Sequence, residues 1–229
     1  MTNKSSIAVI IPAFNEQQSI DKVIAEIPAM VSTIVVVNNG STDRTAEVAQ
    51  QAGAEVLYEP KKGYGFACLK GLAHLAKTPP DIVVFLDGDY SDYPEELELL
   101  TQPIVAGRVD FVLGARHLGG REKGALTPQQ IFGNALACSL MRWLYGSRFT
   151  DLGPFRAIRW TRLQQLQMKD KTYGWTVEMQ LKILKHQIPY LEIPVRYKKR
   201  IGQSKVSGTV KGTIFAGIKI IGWILKYYF

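Results

Sequence analysis

Two carboxylates that stand one residue apart, Asp87 and Asp89, are the side chains of this sequence best suited to chemistry. They directly follow an apolar run, residues 82–86, that is typical of a buried central strand in a parallel sheet. Ligands of open α/β sheets bind at the carboxyl ends of such strands. A pair of carboxylates there suits a hard divalent cation that takes its other ligands from water and substrate phosphates. Asp87-Gly88 is equally typical of a turn, so this pattern alone leaves both interpretations open.

The three preceding predicted strands also end in polar or turn-forming residues, in the segments 12–16, 38–43 and 60–65. Asn38 and Asn39 offer amide donors and acceptors that suit the edge of a nucleobase. Lys62, together with the backbone amides around Gly63 and Gly65 at a helix start, suits phosphate. Each segment alone is also explained as a helix cap or a turn. Their order at consecutive strand ends predicts one ligand crevice.

Alternating strands and helices must position these residues. Predicted strands cover residues 7–11, 33–37, 54–58, 82–86 and 111–113, and amphipathic helices between them cover 19–27, 43–51, 66–76 and 94–105. This βαβ series predicts one parallel sheet with helices on both faces. Beyond residue 114 we expect a loop at 118–130, a helix at 129–145, a strand at 155–160, a helix at 176–186 and a strand at 190–197. We expect these later elements to cover the acceptor side.

Composition indicates an ordinary globular chain. It has 229 residues, of which 46% are hydrophobic and 21% charged, enough to bury one substantial core. Cys68 and Cys138 fit no metal-binding spacing, and the polar residues 1–6 do not resemble a signal peptide. These features predict a reducing, cytoplasmic location.

The positive charge is concentrated at the C-terminus. Residues 193–229 contain eight Lys or Arg and no Asp or Glu, whereas the remaining 20 basic residues balance the 20 acidic ones. Such a tail predicts binding to a polyanion: nucleic acid, an anionic membrane face or a diphosphate. Nucleic acid is the least favoured of these, because no motif of stacking aromatic residues accompanies the basic residues.

The tail continues into a strongly apolar segment, residues 212–229. Lys219 and Lys226 interrupt it, and it is short for a membrane-spanning helix, which needs about 20 predominantly apolar residues. Lysines and aromatic residues beside an apolar face favour a helix lying in the membrane interface, and the alternative is a helix packed on its own domain. We therefore divide the chain into a main domain, residues 1–208, and a C-terminal helix, residues 209–229, that makes peripheral contact with the cytosolic face of a membrane.

These motifs resemble those of the family 2 glycosyltransferases. In the N-terminal half, the similarity lies in residues 11–16, 35–43, 62–65 and 86–89. In the C-terminal half, residues 114–116, 133–134, 150–156 and 200–205 are similar to motifs of the polyprenyl- and dolichyl-phosphate sugar synthase branch. The resemblance implies an α/β fold of the GT-A (Rossmann-like) type, with a mostly parallel sheet flanked by helices, a basic loop and a C-terminal apolar helix.

The resemblance also implies a site for a nucleoside-diphosphate sugar. The residues that would contact this donor are Pro12, Ala13, Phe14, Glu16, Asn38, Asn39, Gly40, Lys62, Gly63, Asp87, Gly88, Arg200 and Lys205. Asp89 would bind Mg²⁺ or Mn²⁺ on the diphosphate, and Asp87 would contact the ribose or a metal-bound water. This assignment agrees with the chemistry, because a cation stabilises the negative charge that grows on the leaving diphosphate.

On the acceptor side, the resemblance assigns Arg116 to the acceptor phosphate and Arg200 with Lys205 to a basic loop that closes on phosphate groups. A lipid phosphate is already anionic at neutral pH and needs positioning by cations but no strong general base. A sugar hydroxyl needs such a base. Asp151 is the best carboxylate candidate for that role, and the alternative is a structural turn or a partner of an arginine such as Arg156.

Several positions depart from the family pattern. Asn38 and Asn39 stand where family members commonly have Asp, and a neutral Asn38 suits uracil, which favours a UDP-sugar over a GDP-sugar. Ser91 stands where the lipid-phosphate branch often has a metal-binding Gln. The segment 151–156 is one residue short, and glutamines occupy 129–130 where an acceptor-binding arginine is expected.

The leading hypothesis is inverting transfer of a sugar from a nucleotide sugar to polyprenyl or dolichyl phosphate, with in-line attack at C1. The second hypothesis is the same chemistry on a hydroxyl of a glycan or a soluble acceptor. The third is a non-catalytic nucleotide-binding membrane scaffold, against which the intact Asp87 and Asp89 pair argues.

Overall fold

The computed structural model describes residues 5–202 and 210–228, without the side chains of 210–216. The strands are β1 (Ile7–Ala13), β2 (Thr33–Asn38), β3 (Glu55–Tyr58), β4 (Ile82–Phe85), β5 (Phe111–Ala115), β6 (Arg156–Arg159) and β7 (Tyr190–Pro194). The helices are α1 (Ile20–Ala25), α2 (Thr45–Gln51), α3 (Tyr64–Leu75), α4 (Leu97–Val105), α5 (Pro128–Tyr145), α6 (Trp160–Leu166), α7 (Trp175–Lys185) and α8 (Val210–Tyr228).

The strands form one seven-stranded sheet in the order β3-β2-β1-β4-β6-β5-β7. The α/β fold with a mostly parallel sheet is thereby confirmed. The strands of the predicted βαβ series, β1 to β5, run parallel to one another, whereas β6 runs antiparallel to both β4 and β5. A short strand buried on both faces has the same residue pattern in either direction, so the sequence did not reveal its orientation.

Two apolar layers cover the two faces of the sheet. Alternate residues of each central strand point to opposite faces, as Ile10 and Ile11 do in β1. One face packs against α1, α2 and α4, and the other packs against α3, α5, α6 and α7. Helix α6 was not predicted: at seven residues it is too short for a clear helical period, and its first residue, Trp160, was assigned to the preceding strand.

Helix α8 forms an outer layer on α5 and α7. Ile224 is fully buried there, and the Trp223 indole N–H donates to Asp170 Oδ2 over 2.7 Å. The polar atom of Trp223, one of the aromatic residues of the apolar C-terminal segment, is therefore used within the domain. Ile218 and Leu225 remain exposed, at 63% and 43%. No helix in residues 5–202 or 210–228 has the length and hydropathy needed to cross a membrane.

Candidate donor and acceptor site

A pocket of about 290 Å³ lies at the carboxyl ends of the first four strands. Its lining residues are Pro12, Ala13, Phe14, Glu16, Asn39, Lys62, Gly63, Tyr64, Asp87, Gly88, Asp89, Tyr173 and Arg200. The four loops that the sequence predicted to share one crevice therefore meet. Asn38, Gly40, Arg116 and Asp151 do not line this pocket, and Lys205 lies outside the described residues.

The first loop is held in place by the starts of two helices. The Glu16 backbone N–H donates to Thr45 Oγ1 over 2.8 Å. The Ser19 hydroxyl donates to the Gly88 carbonyl over 2.8 Å and to Glu16 Oε2 over 3.3 Å. This serine therefore ties the loop after β1 to the loop that carries the two aspartates.

The two asparagines after β2 play different roles. The Asn38 Oδ1 atom accepts from the Ser41 backbone N–H over 2.9 Å and closes a turn in which Gly40 has φ +76°. The Asn39 amide instead reaches the next loop, donating to the Glu59 and Lys61 carbonyls and accepting from the Gly63 N–H over 2.8 Å. Asn39 thus positions the third loop, and the two bonds that it donates depend on its being an amide.

Asn39→Asp is expected to weaken binding of UDP with Mn²⁺ about tenfold, because a carboxylate loses both donated bonds and faces two carbonyl oxygens, which costs roughly 1–3 kcal/mol. Calorimetric titration measures the affinity, and thermal unfolding measures the accompanying loss of stability. Asn38→Asp is the matched control, since its oxygen only accepts and a carboxylate keeps that bond. Equal losses in both variants would contradict the positioning role of Asn39.

The glycines of the third loop are required by packing against residues 170–171. Gly63 has φ +149°, and a Cβ there would lie 2.3 Å from the Lys171 carbonyl oxygen. A Cβ on Gly65 would lie 2.1 Å from the Asp170 carbonyl oxygen. The sequence predicted that the backbone amides of this loop bind phosphate. The Gly63 N–H is already used, because it donates to Asn39 Oδ1. Lys62 faces the pocket, with its Nζ 5.1 Å from the centre of the Phe14 ring.

The aspartate pair fits a hard divalent cation. Asp87 is half-buried, its buried Oδ1 atom has no hydrogen-bond partner among the described residues, and burial followed by the neighbouring Asp89 charge raises its pKa. Asp89 Oδ1 accepts from the Ser91 N–H and hydroxyl, and its Oδ2 faces the Arg200 guanidinium. In residues 5–202 and 210–228 no cluster of three such ligands occurs, so a cation here would complete its shell with diphosphate oxygens and water.

Arg200 closes the pocket from the basic segment. Its Nη1 lies 3.0 Å from Asp89 Oδ2, and its Nη2 lies 2.9 Å from Glu16 Oε1. The Ile201 N–H donates to the Asp89 carbonyl and fixes this approach. A guanidinium at this point brings a positive charge to the place where a diphosphate would lie.

Arg116 and Asp151 form a buried ion pair. The Arg116 guanidinium donates to both carboxylate oxygens, over 3.0 and 2.6 Å, and its backbone N–H donates over 2.8 Å. Burial raises the pKa of Asp151, but the Arg116 charge outweighs burial and holds that pKa below its usual range. The partner of Asp151 is therefore Arg116 and not Arg156, whose guanidinium donates to backbone carbonyls of residues 152, 153 and 176.

The sequence interpretation missed three residues at this site. Tyr64 lines the pocket and lies beside Asp87, within a motif that was examined only for its glycines and lysine. Ser91 orients Asp89, although it was noted only as a departure from a family pattern. Tyr173 comes from the segment before α7, and no local signal marks it.

The family of the chain follows from comparison with known proteins. A model of glycosyl transferase family 2 matches residues 8–173, which is more than half of the chain. The chain belongs to glycosyl transferase family 2, and it is a glycosyltransferase. The hypothesis of a non-catalytic scaffold is not retained.

Similar proteins share most of their length with this chain. An uncharacterised glycosyltransferase of Mycobacterium tuberculosis is 34% identical over 216 residues, covering 92% of this chain and 94% of the relative. A dolichyl-phosphate hexose transferase of Haloferax volcanii is 30% identical over 94% of this chain and 90% of its own length. An undecaprenyl-phosphate mannosyltransferase of Micrococcus luteus is 28% identical over 95% and 93%.

A solved structure shares the fold. Glucosyl-3-phosphoglycerate synthase of Mycobacterium tuberculosis, in a complex with Mn²⁺, UDP and glucosyl-3-phosphoglycerate, has a TM-score of 0.74 at 21% identity. The match covers 97% of this chain and 80% of that protein. This likeness confirms the GT-A fold expected from the sequence.

Proposed function

We propose that this glycosyltransferase moves a sugar from a UDP-sugar to a polyprenyl or dolichyl phosphate, with inversion at C1. The observation that carries the donor half is the convergence of Asp87, Asp89 and Arg200 on one pocket. Mg²⁺ or Mn²⁺ would be held by the two aspartates and would stabilise charge on the departing diphosphate. A fold relative binds Mn²⁺ and UDP together, which supports this choice of donor and metal.

The acceptor half rests on Arg116 and its partner. Because Asp151 is anionic and held by Arg116, it is a poor base for a hydroxyl acceptor. A phosphate acceptor needs no such base, since it attacks as an anion. The two relatives named for transfer to dolichyl and undecaprenyl phosphate support the same class of acceptor.

In the proposed reaction, a phosphate oxygen of the lipid forms a bond to C1 of the sugar as the bond from C1 to the β-phosphate oxygen breaks. The bonding electrons leave with UDP, which gains one negative charge as the lipid phosphate loses one, so no proton is transferred. Arg200, close to Asp89, would balance charge on UDP, and Arg116 would hold the attacking phosphate.

Peripheral membrane contact is proposed through α5 and α8. Helix α5 leaves Phe132 and Trp143 70% and 80% exposed, and α8 leaves Ile218 63% exposed. The C-terminal turns of these helices touch, because the Tyr145 and Tyr228 rings pack edge to face. Exposed apolar residues on helices that touch are typical of a surface that binds protein or membrane, and a lipid acceptor favours the membrane. The division of the chain at residue 208 remains part of this proposal.

Replacing Phe132 and Trp143 with serine is expected to lower partition to lipid vesicles by about 2 kcal/mol, or roughly 30-fold, since each ring loses part of its burial in the acyl region. Vesicle sedimentation measures the partition. Replacing the exposed Tyr58 and Leu99 with serine is the matched control, because β3 and α4 lie far from α5 in the fold. These substitutions test membrane contact more specifically than deletion of residues 209–229, because the deletion would also expose the buried helix α7.

A donor and acceptor screen tests the function directly. Radiolabelled UDP- and GDP-sugars are incubated with Mn²⁺, with and without a short polyprenyl phosphate, and the label is extracted into organic solvent. The expected result is extraction that requires the lipid phosphate and a UDP-sugar. Label on a water-soluble glycan instead would support a hydroxyl acceptor, and tighter binding of GDP than of UDP in calorimetry would reverse the nucleotide preference.

A further inference from the structure

A second concave site lies on the side of the protein formed by α8 and the segment before α7. It is a groove of about 350 Å³ whose lining residues are Lys169, Asp170, Lys171, Lys219, Gly222, Trp223 and Lys226. It shares no lining residue with the donor pocket. Asp170 is the single carboxylate among the described residues that line the groove. The balance between this carboxylate and the lysines decides what the groove could bind.

Asp170 is already fully used. It is 2% exposed, its Oδ1 accepts from the Thr172 and Gly174 N–H groups, and its Oδ2 accepts from Trp223 Nε1 and Lys219 Nζ. The aspartate therefore neutralises one lysine and fastens α8 to the loop. The closeness of this junction is clear at Gly174, where a Cβ would lie 2.3 Å from the Trp223 indole nitrogen.

Three ammonium groups remain around the groove. Within the part of the chain that the structure describes, Lys169, Lys171 and Lys226 have no carboxylate oxygen within salt-bridge distance. Lys171 and Lys226 instead lie 5.6 and 5.1 Å from the centres of the Phe66 and Trp223 rings. Three such cations around a concavity attract a compact anionic group such as a phosphate, and glycine at residue 222 leaves the groove open.

The position of the groove on α8 indicates the source of that group. Ile218 and Leu225 are exposed on the same helix turns that carry Lys219, Gly222 and Lys226. Apolar residues beside lysines suit the boundary between acyl chains and headgroups, where lipid phosphates lie. A dissolved metabolite would gain nothing from the exposed apolar residues.

We propose that this groove binds the headgroup phosphate of an anionic phospholipid, separately from the acceptor. The inference rests on the proposed membrane contact. Lys61 and Lys171 lie 5.8 and 5.6 Å from the centre of the Phe66 ring. These two lysines extend the positive surface from the groove to the third loop of the donor pocket. Bound phospholipid would thus hold the donor pocket at a defined orientation to the bilayer.

The test compares two pairs of lysine substitutions of equal charge. Lys169→Gln with Lys226→Gln changes the groove, and leaves Lys171 beside Gly63 intact. Lys22→Gln with Lys77→Gln is the control, because Lys22 lies on α1 across the sheet and residue 77 follows α3. Partition is measured on phosphatidylcholine vesicles with and without phosphatidylglycerol. We expect the groove pair to lose about 25-fold in partition to anionic vesicles, at roughly fivefold per lysine, and the control pair to lose less than about threefold.

Equal losses in the two pairs would overturn the proposal, because general attraction to the membrane would then explain the binding. Titration with inorganic phosphate or glycerol phosphate, followed through the Trp223 indole N–H signal in NMR, separates the sources of phosphate. Saturation by these soluble ions, with vesicle partition unchanged in the groove pair, would also overturn it. Calorimetry of UDP with Mn²⁺ is run on every variant. If the groove pair and the control pair partition equally while UDP binding is normal, only the groove proposal is refuted. If the unsubstituted protein does not bind UDP, the proposed donor is refuted instead.

Discussion

Asp89→Ala is expected to lower sugar transfer roughly 100- to 1,000-fold, which corresponds to about 3–4 kcal/mol of lost transition-state stabilisation. The carboxylate lies in the pocket, is oriented by Ser91 and pairs with Arg200, so its removal takes away both the metal ligand and the anchor of the arginine. Radiolabel transfer at saturating Mn²⁺ measures the loss. Unchanged turnover under that condition would refute the metal assignment.

Two companion variants separate metal binding from damage to the fold. Ser91→Ala keeps the ligand and removes its orienting hydroxyl, so we expect a smaller loss of transfer and a weaker dependence of UDP affinity on Mn²⁺. Asp87→Asn should be milder than Asp89→Ala, because an amide keeps an oxygen for a metal-bound water or the ribose. Thermal unfolding of all three variants should remain within a few degrees of the parent protein, since Asp87 and Asp89 line the pocket rather than the apolar core and Ser91→Ala removes a single hydroxyl group.

Arg116→Met is expected to abolish transfer to lipid phosphate and to destabilise the protein by about 3 kcal/mol. The loss of stability arises because the substitution leaves the Asp151 carboxylate buried without its charged partner. UDP binding should survive wherever the protein is folded, since Arg116 does not line the donor pocket. Chemical unfolding, calorimetry and transfer assays measure the three effects separately.

A second substitution distinguishes a role in acceptor binding from a purely structural role. Asp151→Asn in the Arg116→Met background removes the unpaired charge, so most of the lost stability should return. Transfer should nevertheless stay absent if Arg116 holds the acceptor phosphate. Recovery of transfer together with stability would show that the ion pair serves only to fix the loops after β5 and before β6.

The donor loops were predictable because their signals are local. A buried strand followed directly by polar or glycine residues can be recognised from a few consecutive residues, as in the apolar run that precedes Asp87. Parallel strands bring their carboxyl ends to one edge, so the meeting of the loops after β1, β2, β3 and β4 also followed from the sequence. The helices before residue 106 were found for the same reason, with differences only at their ends.

The sequence by itself therefore determined the fold class, the edge of the sheet that carries the pocket, and the aspartates and lysine within it. Tertiary structure alone decided the direction of β6, the pairing of Arg116 with Asp151, and the reach of Asn39 to the third loop. It also decided that α8 is fastened by Asp170 to the segment against which Gly63 packs. Each of these depends on contacts between residues far apart in the chain, and the choice among partners of similar chemistry is made by packing, which no local pattern of residues encodes.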